Sequence, residues 1–158
     1  MLKYIPRDTQ VTFSEIPDEI TLCINLSGCP HHCPGCHSPY LRNDEGEELT
    51  EEVLKRLLTK NKGVTCVCFM GGDANKTELV ELVSSVEDVK KAWYSGENEL
   101  DIQKYGLVFD YIKVGPYVES LGPLNSPTTN QRLYKIDRTS NQLIITDITY
   151  KFWKKSFE

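Results

Sequence analysis

Residues 20–27, Ile-Thr-Leu-Cys-Ile-Asn-Leu-Ser, alternate without a break, and a run of three cysteines follows at once. The alternation puts Ile20, Leu22, Ile24 and Leu26 on one face of a strand, with Thr21, Cys23, Asn25 and Ser27 on the other. Such a strand has one face under helices and one toward a polar cavity. The run after it reads Gly28-Cys29-Pro30-His31-His32-Cys33-Pro34-Gly35-Cys36-His37. A four-iron cube has four corners, and Cys29, Cys33 and Cys36 offer thiolates for three of them, which leaves one iron open to a substrate. An open position also separates a catalytic metal site from a closed structural one.

The 158-residue length fits one domain with a single core. A net charge of −5 argues against a nucleic-acid partner. No apolar stretch follows Met1-Leu2-Lys3, so no secretory signal is visible. The longest apolar run, residues 64–70, is too short to cross a membrane. The expected location is the cytoplasm, where six cysteines read as metal-binding or catalytic rather than as a disulfide framework. Cys23, Cys66 and Cys68, outside the run, read as buried small apolar side chains.

Residues 50–60 read as a helix: Thr50 caps it, Glu51 and Glu52 suit its positive end, and Val53, Leu54, Leu57 and Leu58 form its stripe. Glu51 and Glu52 lie four residues before Lys55 and Arg56, the favourable order for ion pairs. A strand over 64–70 ends in Gly71-Gly72-Asp73. Asn75 and Glu78 resemble a capping box for a helix over 76–86, with Leu79, Val80, Val83 and Val86 inward. Strands over 89–95 and 107–114 end at Ser95-Gly96 and Gly115-Pro116. A long loop covers 117–130, and short strands are expected near 133–137 and 143–148.

Strand–helix–strand–helix–strand order argues for a mostly parallel open sheet with helices on its outer face, a truncated partial (β/α) barrel of the α/β class. The cysteine loop and all three glycine turns follow strand C-termini, the edge where sites gather in parallel sheets. The expected single domain, 1–158, comprises an N-terminal hairpin and strand (1–27), the cysteine loop (28–40), the long loop and a C-terminal segment (133–158). The tail from Tyr150 to Phe157 reads as a docked terminal segment.

Other readings of the cysteine run are a closed zinc site, with His31, His32 or His37 as fourth ligand, and an electron carrier. The zinc reading lacks a second ligand pair, since Cys66 and Cys68 are separated by one strand residue. A carrier would bring four cysteines to its cube.

Cys-x3-Cys-x2-Cys after a first strand resembles the signature of the radical S-adenosylmethionine (SAM) superfamily. Leu26-Ser27-Gly28-Cys29, Cys33-Pro34-Gly35-Cys36, Gly71-Gly72-Asp73, Trp93-Tyr94-Ser95-Gly96, Tyr111-Ile112-Lys113-Val114-Gly115-Pro116-Tyr117 and Asn130-Gln131-Arg132 follow in order. Together they resemble the glycyl-radical activating proteins of anaerobic ribonucleotide reductase. The resemblance implies a partial barrel of the radical SAM type and a 4Fe-4S cluster on Cys29, Cys33 and Cys36, with SAM chelating the open iron. It implies reductive SAM cleavage and hydrogen abstraction from a glycine of the reductase's glycyl-radical subunit. The electron would come from a low-potential donor such as a flavodoxin or ferredoxin.

Gly71, Gly72 and Asp73 would contact the methionine moiety, with Asp73 accepting from its amino group; a strand-to-helix turn capped by Asp73 is the alternative. The position before the third cysteine, often aromatic in the superfamily where it touches adenine, is Gly35 here. That leaves His37 or Tyr40 as candidates to stack on the base, and His37 is equally a structural hydrogen-bonding residue. Ser95 is read either as a SAM carboxylate contact or as plain turn chemistry. His31 and His32 read as solvated loop residues, Trp93 as core and Lys113 as a strand lysine reaching solvent. Asn130, Gln131 and Arg132 match the family and equally serve to anchor the long loop. A small radical SAM enzyme acting on a free metabolite, such as a deazapurine synthase, and a zinc-stabilised interaction module are the alternative functions.

Overall fold

The computed structural model describes residues 1–31, 33 and 39–153. Its strands are β1 (Lys3–Tyr4), β2 (Gln10–Thr12), β3 (Thr21–Asn25), β4 (Glu47–Glu48), β5 (Cys66–Met70), β6 (Lys90–Tyr94), β7 (Tyr111–Val114), β8 (Arg132–Arg138) and β9 (Leu143–Asp147). Its α-helices are α1 (Glu51–Lys60), α2 (Lys76–Ser84) and α3 (Ile102–Tyr105). One sheet runs in the order β2-β3-β5-β6-β7-β8-β9, and β1 pairs β4 separately. The central strands β3, β5, β6 and β7 are parallel, while β2, β8 and β9 join antiparallel. The sheet is therefore mixed rather than mostly parallel. The β2–β3 and β8–β9 connections are short, whereas the parallel pairs β3–β5, β5–β6 and β6–β7 are joined by long crossovers that carry α1, α2 and α3.

Local chemistry explains the helices. Thr50 Oγ1 accepts from the Val53 amide at 3.2 Å and starts α1. Glu51 and Lys55 pair at 2.8 Å on its exposed side, where solvent screens the attraction. The capping box expected for α2 does not form. Asn75 holds the N-cap position without a side-chain bond, and Glu78 instead meets the N-terminal ammonium at 2.8 Å. The short α3 has no counterpart among the helices expected from the sequence; Asp101 Oδ1 caps it by accepting from the Lys104 amide.

Both faces of the sheet are buried. On one, Leu22, Ile24, Val67, Phe69, Trp93 and Ile112 pack beneath Leu54 of α1 and Leu79 and Val83 of α2. The Trp93 ring meets Tyr105 edge-on at 5.0 Å, and its Nε1 donates to the Gly71 carbonyl at 2.7 Å. On the other, Cys23, Cys66, Cys68, Ala92 and Tyr111 pack with Ile16, Leu133 and Ile148. This corrects the expectation of a polar cavity along the whole second face of β3: Thr21 and Cys23 are buried, and Asn25 alone among the strand's residues on that side lines a cavity. The loop between β2 and β3 causes the difference by folding Ile16 and Glu19 over the lower part of that face. Glu19 accepts there from Tyr111 Oη at 2.6 Å, Thr65 Oγ1 at 2.7 Å and Lys90 Nζ at 3.0 Å. Burial raises the Glu19 carboxyl, but those bonds outweigh it and hold it below its ordinary value.

Ile20 is a second correction. It precedes the first rung of the β3–β5 ladder, at Thr21–Cys66, and is 37% exposed rather than core. Ile24→Ala should therefore cost about 2–5 kcal/mol in urea unfolding, as expected for a fully buried site. Ile20→Ala should cost about 1 kcal/mol or less. Equal losses at the two positions would contradict this assignment of faces.

Candidate metal centre

The parallel strands end along one edge of the sheet. Register carries Asn25, Met70, Tyr94 and Lys113 across that edge as successive neighbours, on the face opposite the helices. All four line a cavity of about 310 Å³. The loops that follow these strands supply the rest of its wall: Cys29, His31 and Cys33 after β3, Gly71 and Asp73 after β5, Gly96 after β6, and Gly115 after β7. The convergence expected from strand-end loops is therefore present for these residues. Gly72 packs between Leu26 and Leu79 rather than on the cavity wall. Gly35, Cys36 and His37, like His32, lie outside the described residues.

The described part of the cysteine loop is tied down at its base. The Gly28 amide donates to the Asn43 carbonyl at 3.0 Å, and the Cys29 amide to that of Leu41 at 2.8 Å. Arg42 Nη2 donates to the Cys33 carbonyl at 3.2 Å. Tyr40 is not on the cavity wall: its hydroxyl donates to the Asp8 carboxylate, and neighbouring Leu41 faces the cavity instead.

Asp73 is buried, with 2% of its side chain exposed. Gly71 makes the preceding turn with φ +115°, where a side chain would be strained and would press on the Leu26 carbonyl at 3.0 Å. Asp73 Oδ1 accepts from Ser95 Oγ at 2.6 Å. Its Oδ2 accepts from the Gly96 amide at 2.9 Å and meets His31 Nε2 at 2.8 Å. Asp73 is thus not the cap of α2. His31 is not a solvated loop residue either, because its ring reaches inward to a carboxylate that water cannot easily serve.

Lys113 is the other correction. It is 8% exposed, and its ammonium donates to the Gly115 carbonyl at 3.1 Å, lying 5.7 Å from the centroid of Tyr94. β7 lies between β6 and β8, so a stem leaving this face meets the cavity before it meets solvent. Burial pulls the ammonium down to about 8, against the Asp73 carboxylate and the Cys33, Cys68 and Cys29 sulfurs, which favour its charge. A lysine inside a strand that ends at a glycine turn was the available signal in the sequence.

The donor set fits an iron–sulfur cluster. Cys29 and Cys33 bring soft sulfur ligands to one wall, and Lys113 brings a buried positive charge suited to an anionic group. Cys23, Cys66 and Cys68 do not compete. Burial pushes the Cys23 thiol up to about 11 and raises those of Cys66 and Cys68. They stay protonated, whereas a metal binds the thiolate. Among the described residues, no group of three or more His, Cys, Asp and Glu side chains is arranged to hold a metal ion.

Residues 20–121 match the 4Fe-4S single cluster domain family. The chain belongs to that family. The PqqA peptide cyclase of Bradyrhizobium diazoefficiens is 38% identical over 86 residues, which span 52% of this chain and 22% of that protein. No solved structure matches significantly. The family and this relative together support a 4Fe-4S cluster domain of the radical SAM superfamily. Among the described residues, no helix is long and apolar enough to cross a membrane.

Lys113→Met should stabilise the metal-free protein at pH 7, because a buried charge is removed. Raising the pH through about 8 neutralises the folded-state lysine while the unfolded chain keeps its proton, so wild-type stability rises. The advantage of Lys113→Met should therefore shrink above pH 8 in anaerobic urea titrations. An advantage that grows with pH would contradict the burial of this charge.

Proposed function

We propose that this chain is a radical SAM activase that generates the glycyl radical on anaerobic ribonucleotide reductase. The observation that carries the reading is the meeting of the cysteine loop, the Gly71–Asp73 turn and Lys113 at one cavity beyond the ends of parallel strands. Cys29, Cys33 and Cys36 would hold the cluster. When bound, the reduced cluster supplies the electron that cleaves S-adenosylmethionine, and that cleavage supplies the oxidant for hydrogen abstraction.

The chain's own residues bind and orient. A carboxylate offers roughly four acceptor positions, and the Ser95, Gly96 and His31 contacts use three of them at Asp73, which leaves a place for an ammonium group. Ser95 fixes the plane of that carboxylate from behind. Lys113 favours an anionic group on the facing wall. Leu26, Leu41, Met70 and Pro123 add apolar wall that limits water near the sulfurs, beside the polar Asn25 and Gln131. A partial barrel of the radical SAM type would leave this cavity open to a large partner, for which the glycyl-radical subunit is the candidate. A low-potential flavodoxin or ferredoxin would supply the electron, in the cytoplasm. Similarity to a peptide cyclase is in keeping with a polypeptide substrate rather than a free metabolite.

Anaerobic reconstitution should give brown protein with about four iron and four sulfide per chain. Adding SAM and a strong reductant should release 5′-deoxyadenosine. Serine at Cys29, Cys33 or Cys36 should abolish the cluster, and Cys66→Ser should keep it. With the reductase subunit present, electron paramagnetic resonance should show a glycyl radical. One zinc and no sulfide per chain would exclude the activase, and SAM cleavage without the protein radical would point to a metabolite substrate.

A further inference from the structure

His31 lies between Cys29 and Cys33, yet its ring turns inward onto Asp73, with 26% of the side chain left exposed. The place it occupies is prepared for it. Gly96 is not at positive φ, so its backbone does not demand glycine. A Cβ there would instead stand 2.7 Å from His31 Cδ2 and 3.2 Å from its Cγ and Nε2. The missing side chain of Gly96 is the space that the imidazole fills. The carboxylate beneath is held independently, by Ser95 Oγ and the Gly96 amide. A fixed acceptor and a fitted recess thus meet one side chain of the loop.

We propose that His31 is a positioning residue: docked on Asp73 in the Gly96 recess, it pins the middle of the cysteine loop and sets Cys29 and Cys33 against the cavity. Backbone bonds also tie Gly28 to Asn43 and Cys29 to Leu41, and Arg42 ties the Cys33 carbonyl beyond His31. All three partners fall within residues 41–43, so none of them links this stretch to the turns after β5 and β6. The His31–Asp73 bond spans 42 residues of chain and makes that link. Side chains that orient ligands in this way, without touching the metal, typically contribute about 10–100-fold to metal retention. The proposal extends the cluster reading, and its first measurement needs no cluster.

The experiment uses the full chain with His31→Ala, His31→Gln, Gly96→Ala and the His31→Ala/Gly96→Ala double variant. In iron-free protein, hydrogen exchange at the Gly28 and Cys29 amides should quicken by about tenfold in His31→Ala and in Gly96→Ala, since a lost anchor opens the segment locally. His31→Gln, whose amide can still donate to Asp73, should stay within about twofold of wild type. The double variant should match His31→Ala, because the methyl added by Gly96→Ala then has no ring to strike; contacting residues are non-additive in this way. In reconstituted protein, iron loss to a chelator should follow the same ranking, about tenfold or more for His31→Ala. Wild-type exchange in His31→Ala, failure of His31→Gln to restore protection, or a double variant that multiplies the two single effects would each overturn the proposal. A wild-type protein that takes up no iron would sink the cluster reading and leave the exchange result to decide the role of His31.

Discussion

A single buried carboxylate organises the active edge of this molecule. Asp73 comes from the turn after β5, yet its three side-chain contacts come from elsewhere: Ser95 and Gly96 beyond β6, and His31 in the cysteine loop. Three segments that are distant in sequence share one acceptor. Leaving such a group unpaired would cost about 1–3 kcal/mol or more for a charge, so its environment specifies where each loop must lie. The sheet supplies the platform, because parallel register brings the ends of β5 and β6 level at Met70 and Tyr94.

The same edge accommodates charges that a protein interior normally excludes. Lys113 is buried at the head of β7, where its ammonium has a backbone carbonyl, an aromatic face and nearby anionic groups as compensation. A few rungs lower on the same face, Cys23, Cys66 and Cys68 are packed with apolar side chains. The face therefore changes character along its length, from closed core at the bottom to polar cavity at the top.

Much of this is legible in the sequence because it depends on local chemistry. The Thr50 cap, the α1 stripe, the strands ending at Met70 and Tyr94 and the glycine turns each follow from residues close together in the chain, whereas the strand expected over 107–114 forms only at Tyr111–Val114. The convergence of loops at strand C-termini follows from element order alone. What cannot be read locally depends on pairing across the fold. Ile20 alternates correctly with Leu22 yet lies beyond the first ladder rung. The second face of β3 reads as a cavity wall because nothing near it reveals that Ile16 folds back over Cys23. Gly96 reads as ordinary turn chemistry, and its reason is an imidazole that arrives from more than sixty positions upstream. The sequence assigns His31 and Lys113 to water for a related cause: polar residues are given to solvent unless a buried partner is known, and the partners here lie on other strands or loops.

The walling-off of three sulfurs has a consequence for repair. Thiol–disulfide exchange needs an accessible thiolate to attack, and Cys23, Cys66 and Cys68 are buried thiols that resist ionisation. A bond formed by an oxidant among the loop sulfurs thus finds no neighbour with which to reshuffle. Damage that stops at a disulfide would stay confined to the segment that suffered it, where a thiol reductant would restore the free thiols.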